Sequence, residues 1–225
     1  EEDGIVIEIF KNRVEITNSG KPVLDQLHFL DGAPTIKNKR VFTEMKNLGL
    51  VDGQGYGWRK IVKELESRSL PAPEIKIRKN SITVTIWFEK PLKLLSLDQR
   101  NWTVYLHTVL RYLLNEPANN ASLRQRLNLP ESKSSTVSKL FRQAAEGGLV
   151  KPFDKHSSNK TKKYLPAWSQ ASSRIPVKTK DYDKLKLEEE KTNNSQNSLS
   201  NKAFIGQEDD QLIQKARQRL KELGI

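Results

Sequence analysis

Apolar and polar residues alternate in two stretches of the first ninety residues, as in half-buried β-strands. The alternation predicts one hairpin over residues 5–16, turning at Lys11-Asn12, and a second over residues 75–88, turning at Lys79-Asn80. Between the hairpins, apolar residues recur at helical spacing. This spacing predicts one helix from Lys37 to Leu48, ended by Gly49, and another from Tyr56 to Ser67. The second helix is expected to bury Ile61, Val62 and Leu65.

The pattern becomes mainly helical after residue 97. A stripe of apolar residues predicts a helix from Asp98 to Leu114, and Asn120 is expected to cap a short helix that carries Leu123 and Leu127. A third helix begins near Pro130 and ends at Gly147-Gly148. Its predicted buried stripe consists of Val137, Leu140, Phe141 and Ala144. Residues 149–151 and 163–165 are then predicted as short strands around a polar tip.

Charge separates this middle segment from the rest of the chain. The 225 residues carry a formal charge of +12, with 39 Lys and Arg against 27 Asp and Glu. Residues 98–168 alone carry +7, against +3 before them and +2 after them. A chain this basic favours a polyanionic partner, either nucleic acid or an anionic membrane surface. Cysteine is absent, which excludes disulfides, thiolate zinc sites and a cysteine nucleophile.

The order helix, short helix, helix and β-ribbon is that of a winged helix-turn-helix. Lysine and arginine can neutralise phosphates, and serine can bond to phosphates or base edges. The candidate DNA-binding residues lie on the third helix and the ribbon: Lys133, Ser135, Ser138, Lys139, Arg142, Lys155, Lys160, Lys162 and Lys163. The alternative is a solvated helix face on a module that binds protein.

A glycine-rich turn, Gly53-Gln54-Gly55-Tyr56-Gly57, precedes the second predicted helix. Glycines let backbone amides approach an anion, and a helix N-terminus adds partial positive charge, so the turn is a candidate phosphate cradle. An ordinary connection between two elements is the alternative. The turn follows a helix and not a strand, so it is not a dinucleotide fingerprint of the Rossmann type.

Other candidate chemistry is sparse. His28, His107 and His156 stand alone, without metal or triad spacing, and are interpreted as surface or packing residues. Trp102 and Tyr105 are interpreted as packing residues in the core or at a junction. There is no HExxH and no GxxxxGK[ST] motif. No catalytic residue and no metal ligand is therefore predicted.

Residues 169–207 are rich in Ser, Asn and Lys and predict a flexible linker. Residues 208–223 predict an amphipathic helix with one apolar stripe, which is expected either to fold back on the body or to dock on a partner protein or a second copy. No apolar run is long enough to span a membrane, so no membrane partner is expected. The first residue is Glu1, so the chain is interpreted as a piece of something longer.

Several short motifs occur in a set order that resembles a known family. They are the hairpin at 5–17, Asn18-Ser19-Gly20, Lys37-Asn38-Lys39, the glycine-rich turn and Leu70-Pro71-Ala72-Pro73-Glu74. This order resembles the C-terminal half of the ATP-binding-type domain related to the C-terminus of RecG, a divergent relative of the GHKL ATPases. Members commonly accompany Schlafen-type AlbA-like domains in bacterial transcriptional regulators. Many end in a winged helix, and residues 105–168 resemble that part.

The resemblance implies the fold class α+β: the C-terminal part of a GHKL-like α/β sandwich, then a winged helix and a mostly disordered tail. The implied domains are 1–92 and 98–168. By the same resemblance, nucleotide-contacting positions correspond to Asn18, Gly20, Gly53, Gly55 and Gly57, with Ser19 where the family usually has Pro. The helix that carries the magnesium-binding Asn in GHKL proteins has no counterpart after Glu1. ATP and Mg²⁺ are therefore expected only in a longer parent protein, and no cofactor is expected for this chain alone.

Three hypotheses follow. The first is a cytoplasmic, nucleoid-associated regulator that binds double-stranded DNA through the winged helix. The second is a GHKL-type ATPase whose metal-binding helix lies outside this chain. The third is a non-catalytic assembly module. The +7 segment favours the first, and ATPase activity is not expected for this chain alone.

Overall fold

The structure is a computed structural model that describes residues 4–22, 25–33, 35–51, 53–88, 90–154 and 162–170. These residues form five α-helices and two antiparallel sheets, which confirms the α+β class. By their contacts, the residues of the chain divide into two compact units. The first comprises Glu1–Lys37 and Gln54–Ile175, and the second comprises Asn38–Gly53 and Pro176–Ile225.

The first sheet has four strands in the order β1-β2-β4-β3. The strands are β1 (Val6–Ile9), β2 (Arg13–Ser19), β3 (Glu74–Ile77) and β4 (Ser81–Trp87). Both predicted hairpins are confirmed: the Phe10 N–H donates to the Arg13 carbonyl at 2.8 Å, and the Arg78 N–H donates to the Ser81 carbonyl at 2.8 Å. The long pairing of β2 with β4 joins the two hairpins into one sheet.

One face of this sheet is apolar, because Ile7, Ile16, Val84 and Ile75 align across the four strands. Ile75 packs against the core at the β3 end. At the opposite end β1 is an edge strand, and its side chains are open to solvent: 60% of Ile7 and 78% of Ile9 is exposed. Among the described residues, the sheet therefore contacts the core through part of its β3 edge, whereas its β1 edge is exposed.

Helix α2 (Gly57–Ser67) contributes to that core beside β3. It buries Val62 and Leu65 as predicted, whereas Ile61 is only half-buried. Glu66 is buried on the same helix, which the sequence reading did not predict.

The helical part of the first unit follows in the order helix, strand, helix, helix, strand, strand. Its elements are α3 (Leu97–Leu113), β5 (Ala118–Asn119), α4 (Asn120–Arg126), α5 (Ser134–Glu146), β6 (Val150–Pro152) and β7 (Lys163–Pro166). The three strands form an antiparallel sheet in the order β5-β7-β6. Helix α3 carries nine buried residues and packs against α5, so it forms the centre of the core.

The cap of α4 differs from the prediction by one residue. Asn119, with extended backbone (φ −146°), is the N-cap, and its side chain accepts from the Ser122 N–H at 2.9 Å. Ser122 returns the bond, because its hydroxyl accepts from the Asn119 N–H at 2.9 Å. Asn120 is the first helical residue, and its side chain is free to bond elsewhere.

Polar side chains of the helical part bond to backbone carbonyls of the sheet part. Trp102 Nε1 donates to the Pro73 carbonyl at 3.0 Å, and the Tyr105 hydroxyl donates to the Leu27 carbonyl. The sequence interpretation of Trp102 and Tyr105 as core or junction residues is confirmed. The predicted domain boundaries at 1–92 and 98–168 stay predictions.

Alkaline pH is expected to weaken this junction through Tyr105. Burial raises the pKa of Tyr105 to about 12; the hydrogen bond from Trp168 acts in the opposite direction, and the charges of Asp31 and Asp25 raise the pKa further. An unfolded tyrosine ionises near pH 10, so the unfolded state loses its proton first and the free energy of unfolding falls between about pH 10 and 12. Urea denaturation across this range tests it. Tyr105→Phe should remove that part of the pH dependence, and an unchanged dependence would contradict the assignment.

The second unit contains α1 (Lys39–Asn47), which confirms the first predicted helix with slightly shorter bounds. The Asn38 side chain caps it by accepting from the Val41 N–H at 3.1 Å, and Gly49 ends it at a φ of +72°. Residues 171–207 of the linker predicted at 169–207 lie outside the described residues, as does the helix predicted at 208–223. In the described part of the chain, no helix has the length and apolarity to cross a membrane.

Candidate nucleic-acid interface

Helix α5 has one buried side and one basic side. All four residues of the predicted stripe, Val137, Leu140, Phe141 and Ala144, are buried, which confirms the prediction. Opposite them, Lys139 and Arg142 are exposed, as are Ser135 and the preceding Lys133. The core thus fixes the helix and turns three cations toward solvent.

Ser138 differs from the other predicted contact residues. It is half-buried, and its hydroxyl accepts a hydrogen bond from Asn120 Nδ2 at 3.0 Å. Asn120 Nδ2 also donates to the Ser134 carbonyl at 2.8 Å, and its Oδ1 accepts from the Ser134 hydroxyl at 3.1 Å. Ser138 is therefore only partly exposed and joins α5 to α4, and its contact with DNA stays a prediction.

The adjacent Asn119 and Asn120 hid this role from sequence reasoning. Either asparagine could cap α4, and only the backbone conformation shows which one does. The remaining Asn120 links the first turns of α4 and α5. The sequence indicated this role only by placing a second asparagine next to the one that caps α4.

The two strands after α5 carry the other predicted cations. Lys163 is exposed at the start of β7, and Lys162 is half-buried just before it. Lys155 and Lys160 lie outside the described residues. The strand is anchored on α5 by the Phe141 and Tyr164 rings, which stack at 4.1 Å with 4° between their planes. Burial also raises the pKa of Tyr164, so this ring stays neutral at physiological pH.

The predicted nucleotide-contacting residues are divided between the two units, with Gly53 in the second and the other four in the first. Asn18 pairs with Ile82 within the sheet, and its side chain is exposed. The Gly20 N–H donates to the Asn80 carbonyl at 2.8 Å, so that amide is already engaged. Gly20 needs its glycine for a φ of +93° in the turn.

The fold itself explains why the first residue of the glycine-rich turn is a glycine. Gly53 has a φ of +77°, and a Cβ built there would meet Phe42 Cζ at 2.8 Å. Gly53 belongs to the second unit, whereas Gly55 and Gly57 belong to the first. Gly55 also has positive φ, and Gly57 is the first residue of α2. Packing against Phe42 therefore explains Gly53, and the contact of this turn with a phosphate stays a prediction.

Histidines have packing or surface roles where the structure describes them. His28 Nδ1 lies 3.0 Å from the Asp31 carboxylate, and its ring lies 5.4 Å from that of Trp168. His107 is buried and hydrogen-bonded on both ring nitrogens, and His156 lies outside the described residues. No group of three or more potential metal ligands occurs in the part of the chain that is described.

Comparison with known families gives the class of the first segment. Residues 2–86 match the family described as "Putative ATP-dependent DNA helicase recG C-terminal". The match confirms that this segment, which holds the four-stranded sheet, α1 and α2, is related to the RecG C-terminal, ATPase-like family. Neither the curated proteins nor the solved structures contain a match to the chain.

Proposed function

We propose that this protein binds double-stranded DNA through α5 and acts as a transcriptional regulator. The observation that carries the proposal is the amphipathic build of α5, with a buried stripe that fixes its position, the exposed Lys139 and Arg142 on its free side and the exposed Lys133 at its N-cap. Lysine and arginine on a rigidly held helix are the groups that phosphates attract. The RecG relationship of residues 2–86 is consistent with association with DNA.

The element order supports a winged-helix reading of residues 98–168. Three helices and an antiparallel sheet in the order β5-β7-β6 place a two-stranded ribbon directly after the basic helix. In that reading α5 enters the major groove, and the ribbon from β6 to β7 contacts the backbone or minor groove. Such a function would place the protein in the bacterial cytoplasm, at the nucleoid.

The four-stranded sheet and α2 then form the part of the protein to which the DNA-binding segment is attached. Two of the predicted nucleotide-contacting glycines already have a role in the fold, because the Gly20 amide donates to the Asn80 carbonyl and Gly53 lies against Phe42. We therefore derive no ATP or Mg²⁺ chemistry from this chain, and a nucleotide remains a proposal for a longer parent protein only.

The test is a titration of the full 225-residue chain against random duplex DNA at 50 and 200 mM salt. If the five described cations of α5 and the ribbon (Lys133, Lys139, Arg142, Lys162 and Lys163) each neutralise one phosphate, log K should fall with log salt at a slope of about −4.5. The affinity should then drop roughly 500-fold between the two conditions. Binding that does not respond to salt, or no binding at 50 mM, would contradict the proposal.

A further inference from the structure

A buried chain of polar side chains joins α2, α3 and α4. Glu66 Oε1, on α2, lies 2.7 Å from His107 Nδ1 on α3, and His107 Nε2 lies 2.9 Å from the Ser122 hydroxyl on α4. Arg126, on α4, approaches the other Glu66 oxygen at 3.6 Å, and Arg111 lies 3.5 Å from Oε1. Glu66, Arg111 and Arg126 are the three charged groups that these contacts place around His107.

The charged side chains around His107 are one carboxylate and two guanidinium groups. Burial alone would raise the pKa of Glu66, but the hydrogen bond from His107 and the charges of His107, Arg126 and Arg111 lower it. Glu66 is therefore ionised at neutral pH. With two arginines nearby, the group already carries a surplus positive charge when His107 is neutral, and a charged His107 adds a second.

The hydrogen bonds that the Ser122 hydroxyl can make depend on which ring nitrogens of His107 carry a hydrogen. The Ser122 hydroxyl accepts from the Asn119 N–H at 2.9 Å and lies 3.0 Å from the Asn119 carbonyl, to which it can donate. A hydroxyl has one hydrogen. Ser122 can make both of these bonds and the bond to His107 only if His107 Nε2 is the donor. Since Nδ1–H donates to Glu66, that arrangement requires an imidazolium.

A neutral His107 that keeps its hydrogen on Nδ1, toward the Glu66 carboxylate, forces a choice at Ser122. The hydroxyl hydrogen then bonds either to His107 Nε2 or to the Asn119 carbonyl, and one of the two contacts is lost. Asn119 and Ser122 form the capping box of α4. The protonation of His107 therefore selects between two hydrogen-bond arrangements at the N-terminus of this helix.

The N-terminus of α4 is in turn bonded to the N-terminus of α5. Asn120 donates to the Ser134 carbonyl and to the Ser138 hydroxyl, both in the first turns of α5. A change in the hydrogen bonds of Asn119 and Ser122 thus occurs next to Asn120, the residue that is bonded to α5.

We propose that His107 is a proton-dependent joint: the gain or loss of one proton rearranges the hydrogen bonds at the start of α4 and changes the affinity of α5 for DNA. This proposal rests on the proposed DNA binding. The charged form of His107 satisfies every contact of Ser122 and so keeps the capping box of α4 complete. Asn120, the next residue, then holds the first turns of α5 in place, so DNA affinity is expected to be higher at pH 6 than at pH 8. Histidine is the side chain whose charge ordinarily changes in this interval.

The experiment compares duplex-DNA affinity of the full chain at pH 6 and pH 8 for wild type, His107→Gln and Ser122→Ala. The ratio of wild-type to His107→Gln affinity should be about three to ten times larger at pH 6 than at pH 8, the range expected for one hydrogen bond. His28→Gln is the matched control, because it removes a partly exposed histidine and should keep the wild-type profile. Ser122→Ala keeps His107 but should flatten the profile.

The proposal is overturned if His107→Gln or Ser122→Ala retains the wild-type pH profile. If the wild-type chain binds no DNA at either pH, the proposed function fails and the joint is judged separately by NMR. The backbone amide resonances of Asn119 and Ser122 should then shift between pH 6 and 8 in the wild type and not in His107→Gln. An absence of that shift would overturn the joint itself.

Discussion

Replacing Lys133, Lys139 and Arg142 together by alanine is expected to weaken binding to duplex DNA by on the order of 10- to 100-fold at low salt. All three side chains are exposed beside the buried stripe of α5, so their removal should leave the fold unchanged. Each lost phosphate contact should reduce the salt dependence by about 0.9, so the slope of log K against log salt should become less steep by about 2.7. Fluorescence anisotropy at several salt concentrations measures both quantities.

A matched control separates a local contact from the loss of overall charge. Lys76, Arg78 and Lys79 are exposed cations on the hairpin between β3 and β4, in the same unit of the structure. Their replacement by alanine removes the same three charges away from α5. If this control weakens binding as much as the α5 variant does, DNA is attracted by the net charge of the protein, and α5 is not the element that binds it.

Replacing Arg126 by alanine is expected to lower the free energy of unfolding by about 3–5 kcal/mol, the cost of breaking a buried ion pair. Only 4% of the Arg126 side chain is exposed. Its Nε lies 3.6 Å from Glu66 Oε2, and its Nη2 donates to the Leu70 carbonyl at 2.5 Å. The change leaves the ionised Glu66 with one fewer cation and the Leu70 carbonyl without this donor. Urea denaturation at neutral pH measures the loss.

Arg142→Ala provides the control, because it removes an exposed arginine without an ion pair and should change stability by less than about 0.5 kcal/mol. A double-mutant cycle sharpens the test. Arg126→Met combined with Glu66→Leu should cost less than the sum of the two single changes, since each single change leaves a buried charge. Additive costs would show that Arg126 and Glu66 do not stabilise each other.

Local patterns predicted the elements well, because each depends on residues close in sequence. Alternating apolar residues located both hairpins, and the stripes on α3 and α5 predicted which side chains are buried. The cap of α4 was misplaced by one residue, because two adjacent asparagines offer the same side-chain chemistry. Only the extended backbone of Asn119 distinguishes them.

The buried polar chain could not be located from the sequence, because its members come from three helices and 60 residues of chain separate Glu66 from Arg126. A signal was nevertheless present. Glu66 follows Val62 by four residues, and Arg126 follows Leu123 by three, so each charge lies on the buried side of its helix. A charge on a buried stripe must find a partner, and such charges on neighbouring helices predict a cluster.

The bare edge of the four-stranded sheet has a consequence for any measurement of DNA affinity. The outer backbone groups of β1 offer a ladder to which another extended strand can add, and the neighbouring Ile7 and Ile9 side chains lie exposed beside it. Two copies joined along this edge would carry two copies of α5, and a duplex long enough to reach both would contact two basic helices. Binding would then be bivalent, and the second contact would occur at an effective concentration in the millimolar range for a short connection. Affinity measured at nanomolar and at micromolar protein would therefore differ through avidity, while the contacts of each α5 with DNA stayed the same.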